Sequence, residues 1–219
     1  MNGSMSKGRF FVGLDLGQSH DYTALAVMER AEMEGEWDPE QFAHRKMTSL
    51  QLRYLERIPL GTAYPDVVER VRQLTWSGHL RGNCHLIVDA TGVGRPVVDL
   101  LHRAGLGCQI LAATITGGDT EKSGRESYQV PKRDLIVGLQ VLLQRGGLQV
   151  AAGMKLGPMF VEEMAAMQVR QTAAGNEQFG AWREGEHDDL VFAVALAYWG
   201  AQKVYPRRLS GDDGYWVKR

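Results

Sequence analysis

Apolar residues in the first part of the chain follow a β-strand pattern. Two runs rich in apolar and β-branched residues, Phe10 to Leu16 and Thr23 to Met28, are separated by the polar segment Gly17 to Tyr22. This arrangement predicts an antiparallel hairpin. A third strand is predicted between Gln41 and Leu50. The chain therefore opens with a small antiparallel sheet.

Helix and strand patterns then alternate. Apolar residues from Pro65 to Leu74 recur with a period near 3.6, which predicts a helix ending by Gly78. A short apolar run from His85 to Asp89 predicts a buried strand. A helix from Pro96 to Arg103 and a strand from Cys108 to Ile115 follow. This alternation is typical of parallel strands joined by helical crossovers.

The second half of the chain continues the alternation. The segment Gly117 to Val130, rich in Gly, Ser, Thr and charge, is predicted to be a loop. A helix from Lys132 to Gln144, a strand from Leu148 to Val150 and an amphipathic helix from about Pro158 to Arg170 follow. We therefore predict an α/β fold with a mixed central sheet flanked by helices.

The last long helix is predicted to begin at His187 or Asp188 and to run to about Lys203. Small residues recur along it at i, i+4 spacing, namely Ala193, Ala197 and Ala201. Such a stripe allows a helix to pack closely on a sheet.

Composition narrows the class of protein. With 219 residues, 44% of them hydrophobic, the chain can form one domain with a sizeable core. Its longest uncharged apolar stretch, Leu190 to Ala201, is about half the ~20 residues of a membrane span, and the N-terminus has no apolar signal core. We expect a soluble, intracellular protein.

Cys84 and Cys108 lack CxxC spacing, which favours buried thiols over a disulfide or a zinc site.

Acidic residues occupy the ends of predicted elements. Asp15 ends the run FFVGLD, Asp89 ends LIVD, and Asp188 and Asp189 open HDDLVFAVALA. Strand ends and a helix start can converge although they are far apart in sequence. Carboxylates so close repel one another and require divalent cations, and Mg²⁺ and Mn²⁺ prefer oxygen ligands.

This order of elements is the layout of an RNase H-like domain. Hairpin strands come first, alternating helices and strands follow, and a terminal helix bears an acid. In such a site two metal ions about 4 Å apart activate a water and stabilise the leaving 3′ oxygen of a phosphodiester. In that layout Asp15 would bridge both ions, while Asp89 and the Asp188/Asp189 pair would each hold one side.

Three motifs together resemble the C-terminal nuclease domain of the large terminase subunit of tailed bacteriophages. They are GLDLGQSHDYTA with Asp15 and Asp21, LIVDATGVGRPVVDLL with Asp89, and the start of HDDLVFAVALA. The similarity covers roughly residues 9 to 204. It implies a metal-dependent endonuclease that cuts concatemeric double-stranded viral DNA during packaging, in the cytoplasm of an infected bacterium.

The resemblance also implies partners and domain limits. In that family the nuclease domain is joined to an N-terminal ATPase motor, and the small terminase subunit and the portal select the site of cutting. No GxxxxGK[ST] phosphate loop occurs in this chain, so it is expected to cut but not to translocate DNA. The opening residues 1–8 resemble an expression tag, and residues 205–219 are expected to form a C-terminal tail.

Several site residues have a second interpretation. A helix start favours acids through its dipole alone, and the sequence does not decide between Asp188 and Asp189. Asp21 can shape the hairpin turn without binding metal, and His187 can orient a water or phosphate or simply flank the helix cap. Four basic residues in or after the Gly117 to Val130 segment either contact DNA phosphates or belong to a solvated connector. They are Lys122, Arg125, Lys132 and Arg133.

Other functions fit parts of the pattern. DLGQSHDYTALAV also resembles the first phosphate motif of actin-like ATPases and sugar kinases, but those proteins need two such lobes, and nothing in them explains the late HDD. A Holliday-junction resolvase or transposase core could use the same acids on branched DNA. A formal charge of −1 argues against a polybasic nucleic-acid binder, although bound metal would neutralise part of an acidic site. A scaffold without activity would leave the converging acids unexplained.

Overall fold

Three antiparallel strands begin the fold. A computed structural model describes residues 8–17, 21–92, 94–124, 127–171, 177–180 and 187–204. Strands β1 (Arg9–Asp15) and β2 (Thr23–Asp38) form the predicted hairpin, and β3 (Ala43–Ile58) pairs antiparallel with β2. Both β2 and β3 are longer than the sequence pattern predicted, because alternation fades where the hairpin extends beyond β1.

Parallel strands occupy the other half of the sheet. Helix α1 (Tyr64–Thr75) leads to β4 (Cys84–Asp89), which pairs parallel with β1, and α2 (Gly94–Arg103) leads to β5 (Gln109–Thr116), which pairs parallel with β4. The helical crossovers predicted from the sequence are confirmed.

The segment predicted to be a loop contains two short strands. Strands β6 (Lys122–Ser123) and β7 (Ser127–Pro131) pair antiparallel, and β7 extends the sheet by pairing parallel with β5. The loop prediction was wrong here because backbone pairing with β5 overrides the polar composition of the segment. Helix α3 (Lys132–Gln144) and strand β8 (Leu148–Val150) follow as predicted.

The helix in the structure is shorter than the one predicted from Pro158 to Arg170. Helix α4 (Gly157–Ala166) ends where Met167 adopts an extended backbone, with φ −60° and ψ 121°. Strands β9 (Gln168–Gln171) and β10 (Glu177–Gly180) then form a separate antiparallel pair that the sequence did not predict. Helix α5 (Asp189–Val204) closes the described chain close to its predicted limits.

An eight-stranded mixed sheet lies at the centre, in the order β6-β7-β5-β4-β1-β2-β3-β8. One face packs on α3, α4 and α5, and the other face packs on α1 and α2, so that two apolar cores flank the sheet. This is the predicted RNase H-like architecture.

Helix α5 lies very close to the middle of the sheet. A Cβ atom on Gly13 of β1 would overlap the backbone of Ala193 and Ala197, and one on Gly200 would overlap Ile87 of β4. Ala193 and Ala197 are fully buried. The small-residue stripe therefore does pack on the sheet, and it fixes the start of α5 relative to the ends of β1 and β4.

Both cysteines are free thiols, Cys84 buried and Cys108 half-buried. Within the described part of the chain, no helix combines the length and the apolar character needed to cross a bilayer.

Candidate active site

Sheet register brings Asp15 and Asp89 together. Leu14 of β1 lies opposite Val88 of β4 in the parallel pair, and the next residue in each strand is an aspartate that ends it. Because side chains alternate between faces, both carboxylates point to the face covered by α5. Two acids 74 positions apart in sequence thus leave the sheet side by side.

Helix α5 presents the other two acids at its start. Asp188 immediately precedes the helix, and its carbonyl oxygen accepts a hydrogen bond from Phe192 N at 3.0 Å. Asp188 is half-buried, whereas Asp189 is only 5% exposed. The close packing of α5 on Gly13 directs this end of the helix to the end of β1.

These acids influence one another electrostatically. Burial raises the pKa of Asp15 well above its usual 3.8, and the carboxylates of Asp89, Asp188 and Asp189 raise it further, in that order. Burial likewise raises the pKa of Asp89. Lys132 lowers the pKa of both strand-end acids, but its effect on each is smaller than that of burial. Asp15 is therefore influenced by the charge of each of the other three predicted acids.

Asp89 also shapes the turn after its strand. Its Oδ1 accepts a hydrogen bond from Thr91 N at 2.7 Å, and the Thr91 hydroxyl oxygen accepts one from Ile115 N at 2.7 Å. The turn after β4 is thereby tied to β5.

Arg57 was not predicted, and it binds one of the predicted acids. Its Nε donates to Asp189 Oδ2 at 2.8 Å, its Nη2 donates to Asp189 Oδ1 at 3.1 Å, and Nη2 also donates to Glu163 of α4. The other Glu163 oxygen, Oε2, accepts from Leu190 N at 3.1 Å. Burial, followed by the charge of Asp189, raises the pKa of Glu163 to about 7.

Arg57 lies on the same rung of the sheet as the strand-end acids. The register places Ala113 beside Asp89, Asp15 beside Ala24, and Ala24 beside Arg57. Neighbouring strands lie about 4.8 Å apart, so Arg57 is roughly 10 Å from Asp15 across the backbone. The sequence signal for Arg57 is a charged residue on the strand face that packs against helices. This signal can be recognised only once the register of the sheet is known.

Lys132, one of the predicted basic residues, lies close to the acids. It follows β7 directly, and since β4, β5 and β7 are parallel, their carboxyl ends lie at one edge of the sheet. Its Nζ lies 4.6 Å from the centre of the Phe192 ring, one helical turn beyond Asp188. Lys132 thus lies between the strand ends and α5.

The other predicted basic residues differ in position. Lys122 is exposed on β6 at the edge of the sheet, and Arg133 is exposed at the start of α3. Arg133 lowers the pKa of its neighbour Asp134, although burial has the larger effect and raises it. Arg125 lies outside the described residues.

Asp21 and His187 border the site. Asp21 is exposed in the segment between β1 and β2. His187 is half-buried, and its ring lies edge-on against Tyr22 with ring centres 5.0 Å apart. His187 also lowers the pKa of Asp189, although burial dominates and the net direction is upward.

The donor chemistry of the site fits a hard divalent cation. Asp15, Asp89 and Asp188 offer only carboxylate oxygens, which Mg²⁺ and Mn²⁺ prefer. Across the described ranges, no three His, Cys, Asp or Glu side chains are already gathered as a complete metal-binding group.

Comparison with known proteins identifies the fold. No protein-family model matches this sequence, and no curated protein matches it. Solved structures do match. The large terminase nuclease of thermophilic phage G20c with bound magnesium is 25% identical, with a TM-score of 0.59 over 87% of this chain and 80% of that chain.

Two further structures extend the likeness. The large terminase nuclease domain of Thermus phage P74-26 is 22% identical, with a TM-score of 0.58 over 96% of this chain and 84% of that chain. The large terminase nuclease domain of bacteriophage SPP1 with bound manganese is 13% identical, with a TM-score of 0.51 over 88% of this chain and 86% of that chain. The resemblance predicted from the three motifs is confirmed, and the chain has the fold of large terminase nuclease domains.

Proposed function

We propose that this chain is the nuclease domain of a large terminase subunit and cuts double-stranded viral DNA concatemers with the help of divalent metal. The observation that carries the proposal is the convergence of Asp15 and Asp89, at neighbouring strand ends, with Asp188 at the start of α5. The terminase nucleases of similar fold support it, and some of them contain bound magnesium, cobalt or manganese.

Each acid has a distinct part in this proposal. Asp15, at the centre, would contact both of two Mg²⁺ or Mn²⁺ ions, while Asp89 and Asp188 would each hold one side. When bound, such ions supply a water nucleophile of lowered pKa and stabilise the leaving oxygen of the phosphodiester. The protein's own contribution is to hold the carboxylates on a rigid sheet rung and a rigid helix start.

Asp188 is the better ligand candidate of the two helix-start acids. Both oxygens of Asp189 accept hydrogen bonds from Arg57. Among the described residues, no side chain donates to the Asp188 carboxylate, and Asp188 affects the pKa of Asp15 more strongly than Asp189 does. We therefore propose Asp188 as the direct ligand and Asp189 as a charge balanced by Arg57.

DNA contact would begin at the basic residue inside the site. Lys132 lies beside the acids and can bind a phosphate oxygen of the cleaved strand, because a phosphate brought to the cations comes within its reach. Lys122, Arg125 and Arg133 are proposed as weaker backbone contacts outside the metal centre. Asp21 and His187 are auxiliary candidates at the border of the site.

The wider setting follows from the same proposal. Residues 9–204 would form the nuclease domain, with residues 1–8 as a tag and 205–219 as a tail. The domain would act beside an N-terminal ATPase domain, a small terminase subunit and a portal protein, in the cytoplasm of an infected bacterium.

Plasmid cleavage tests the proposal. Supercoiled DNA is incubated with the chain in Mg²⁺, Mn²⁺, Ca²⁺ or EDTA, alongside Asp15→Asn, Asp89→Asn and Asp188→Asn. We expect nicking and linearisation in Mg²⁺ or Mn²⁺, none in EDTA, and loss of cleavage in each variant. Asp99→Asn is the matched control, because Asp99 is exposed on α2, and it should cut at the wild-type rate.

Two results would contradict the proposal. Absence of cleavage with every metal, or full cleavage by Asp15→Asn, would remove the nuclease assignment. A strong preference for four-way junctions over linear duplex would favour a resolvase instead.

A further inference from the structure

We propose that Arg57 is a positioning residue that fixes the start of α5, so that Asp188 is held toward Asp15 while Asp189 is kept out of the metal centre. This inference rests on the proposed nuclease function and names a determinant of that site. Arg57 itself touches no metal and no DNA in this proposal; it acts through Asp189 and Glu163.

The contacts of Arg57 hold two elements at once. Its guanidinium pairs with both oxygens of Asp189 on α5 and with Glu163 on α4. Its side chain is 14% exposed, and those of the two acids are 7% exposed or less. A planar guanidinium that pairs through two parallel hydrogen bonds fixes orientation as well as distance.

Glu163 completes the hold on the helix start. While one oxygen accepts from Arg57, the other accepts from Leu190 N at 3.1 Å. The first N–H groups of a helix have no partner within the helix, so this carboxylate satisfies one of them. Arg57, Glu163 and Asp189 therefore fix both the rotation and the position of the first turn of α5.

The rotation of that turn decides which acid faces the metals. Successive residues of a helix are separated by about 100° around its axis. Arg57 lies two strands from Asp15 on the same rung, and only the small side chain of Ala24 lies between them. With Asp189 drawn toward Arg57, Asp188 is left on the side of Asp15, in agreement with their electrostatic coupling.

Arg57 also reaches the segment between β1 and β2. Its Cζ lies 4.8 Å from the centre of the Tyr22 ring, and Tyr22 packs edge-on against His187, the residue before Asp188. Arg57 thus contacts Asp189, the residue after Asp188, directly and is linked to His187, the residue before it, through Tyr22.

Removal of the guanidinium would leave two acids close together and almost fully buried without their counter-ion. Such a change is strongly destabilising unless the groups move. The two acids would then separate, with Asp189 turning toward solvent and the first turn of α5 rotating with it. We therefore expect the main defect of an Arg57 variant in metal binding and turnover.

The experiment compares Arg57→Met and Arg57→Lys with Arg53→Met as matched control. Arg53 lies on the same strand, is exposed, and pairs with Glu29 at 2.7 Å away from the acids. Mn²⁺ binding is measured by electron paramagnetic resonance, and kcat and KM for plasmid cleavage are measured at saturating Mn²⁺. Thermal midpoints in EDTA report folding.

Arg57→Met should weaken Mn²⁺ binding about 10- to 100-fold, the range seen when residues that orient metal ligands are changed. It should lower kcat with little change in KM for DNA. Arg57→Lys should recover part of both, since it restores the charge but not the two-pronged pairing. Arg53→Met should match the wild type.

A double variant separates positioning from direct ligation. If Asp189 acts through Arg57, Arg57→Met combined with Asp189→Asn should bind Mn²⁺ no worse than Arg57→Met alone, because the two changes remove one interaction. A double variant that binds much more weakly would make Asp189 a ligand and overturn the inference.

The remaining outcomes are equally decisive. Arg57→Met with a lowered thermal midpoint but wild-type Mn²⁺ binding and kcat would show a purely structural role and reject the inference. If Arg57→Met does not fold, Arg57→Lys is judged by the same criterion. A wild-type protein that neither binds Mn²⁺ nor cuts DNA would instead reject the proposed nuclease function.

Discussion

The two ends of strands β1 and β4 both bury titratable groups on the same face of the sheet, but with different consequences. At the N-terminal ends of the two strands, the starting end, His85 is 6% exposed, and its ring stacks on Phe11 with ring centres 5.5 Å apart. At their C-terminal ends, the finishing end, Asp15 and Asp89 lie among further carboxylates. Burial favours the neutral form at both ends, since it lowers the pKa of His85 and raises that of Asp15.

The difference lies in the neighbours. His85 Nε2 donates to Gln109 Oε1 at 3.1 Å, and among the described residues Nδ1 is buried without a partner. A single imidazole resolves its burial by losing one proton. Each carboxylate at the finishing end would instead have to take up a proton to become neutral, and a bound divalent cation is the other way to offset the repulsion among them. At the finishing end repulsion among several acids is added to burial, and this difference supports the metal centre proposed above.

Asp15→Asn should have the largest effect, because it removes a central acid of the finishing end. Cleavage should fall by about 10³-fold or more, which corresponds to roughly 4 kcal/mol of lost transition-state stabilisation. In EDTA the same variant should be more stable than the wild type, because it removes a buried charge from among like charges. Each kcal/mol gained would raise the thermal midpoint by about 2–4 °C.

The measurements are plasmid cleavage in Mn²⁺ and thermal unfolding in EDTA, with Asp99→Asn as the exposed control. Addition of Mn²⁺ should raise the midpoint of the wild type but not that of Asp15→Asn, because only a protein that binds the ion gains stability from it. A variant that is less stable than the wild type in EDTA would show that Asp15 does not experience the expected repulsion.

Much of this site could be predicted from local sequence. Asp15 and Asp89 end apolar strands, and the ends of neighbouring parallel strands meet at one edge, so their convergence needs only the element order. The choice between Asp188 and Asp189 could not be predicted. In our proposal this choice depends on Arg57, which is 132 positions from Asp189, and on a sheet register that no local pattern reveals.

The errors in the fold have the same origin. Strand β6 consists of Lys122 and Ser123 alone, and its pairing with β7 leaves no apolar signal. Helix α4 stops at Ala166, although Met167 continues its apolar period, because the chain leaves for the β9–β10 pair. Local sequence patterns predict helices and strands where burial and periodicity coincide. They fail where backbone pairing with a distant segment determines the secondary structure.

Gly13→Ala should have the next largest effect. Gly13 lies on β1 between the starting end and the finishing end. The new methyl group would overlap the backbone of Ala193 and Ala197, which can give way only if α5 moves. We expect a loss of about 1–3 kcal/mol of stability, the usual cost of overpacking. Cleavage per folded molecule should also fall, because Asp188 immediately precedes α5 and would move with it.

Gly138→Ala is the matched control. A Cβ on Gly138 of α3 would make only an ordinary contact of 3.5 Å with Tyr198 Cε1, and alanine favours a helix by up to about 1 kcal/mol over glycine. Urea unfolding should therefore give opposite signs for the two variants. Equal stabilities of Gly13→Ala and the wild type would mean that α5 does not lie as close to β1 as described.

His85→Phe tests the starting end and should have the smallest effect. The ring stacking on Phe11 is kept, the hydrogen bond to Gln109 is lost, and cleavage at pH 7.5 should be unchanged. The pKa of His85 is lowered on folding by burial and by the charge of Arg9, against the opposing effect of its hydrogen bond to Gln109. Well above pH 6.5 the imidazole is neutral in both states, so it adds no pH dependence.

Below pH 6.5 the unfolded chain takes up a proton that folded His85 resists, so the wild type loses stability as the pH falls. The loss is at most about 1.4 kcal/mol per pH unit, and it stops at the folded pKa. Urea unfolding in EDTA at pH 7.5 and 5.5 should show a smaller loss for His85→Phe, while a change at exposed His79 leaves the wild-type loss intact. Equal losses for His85→Phe and the wild type would mean that His85 is protonated in the folded state. Its buried Nδ1 would then have found an acceptor, and the two ends of the sheet would differ less than their neighbours indicate.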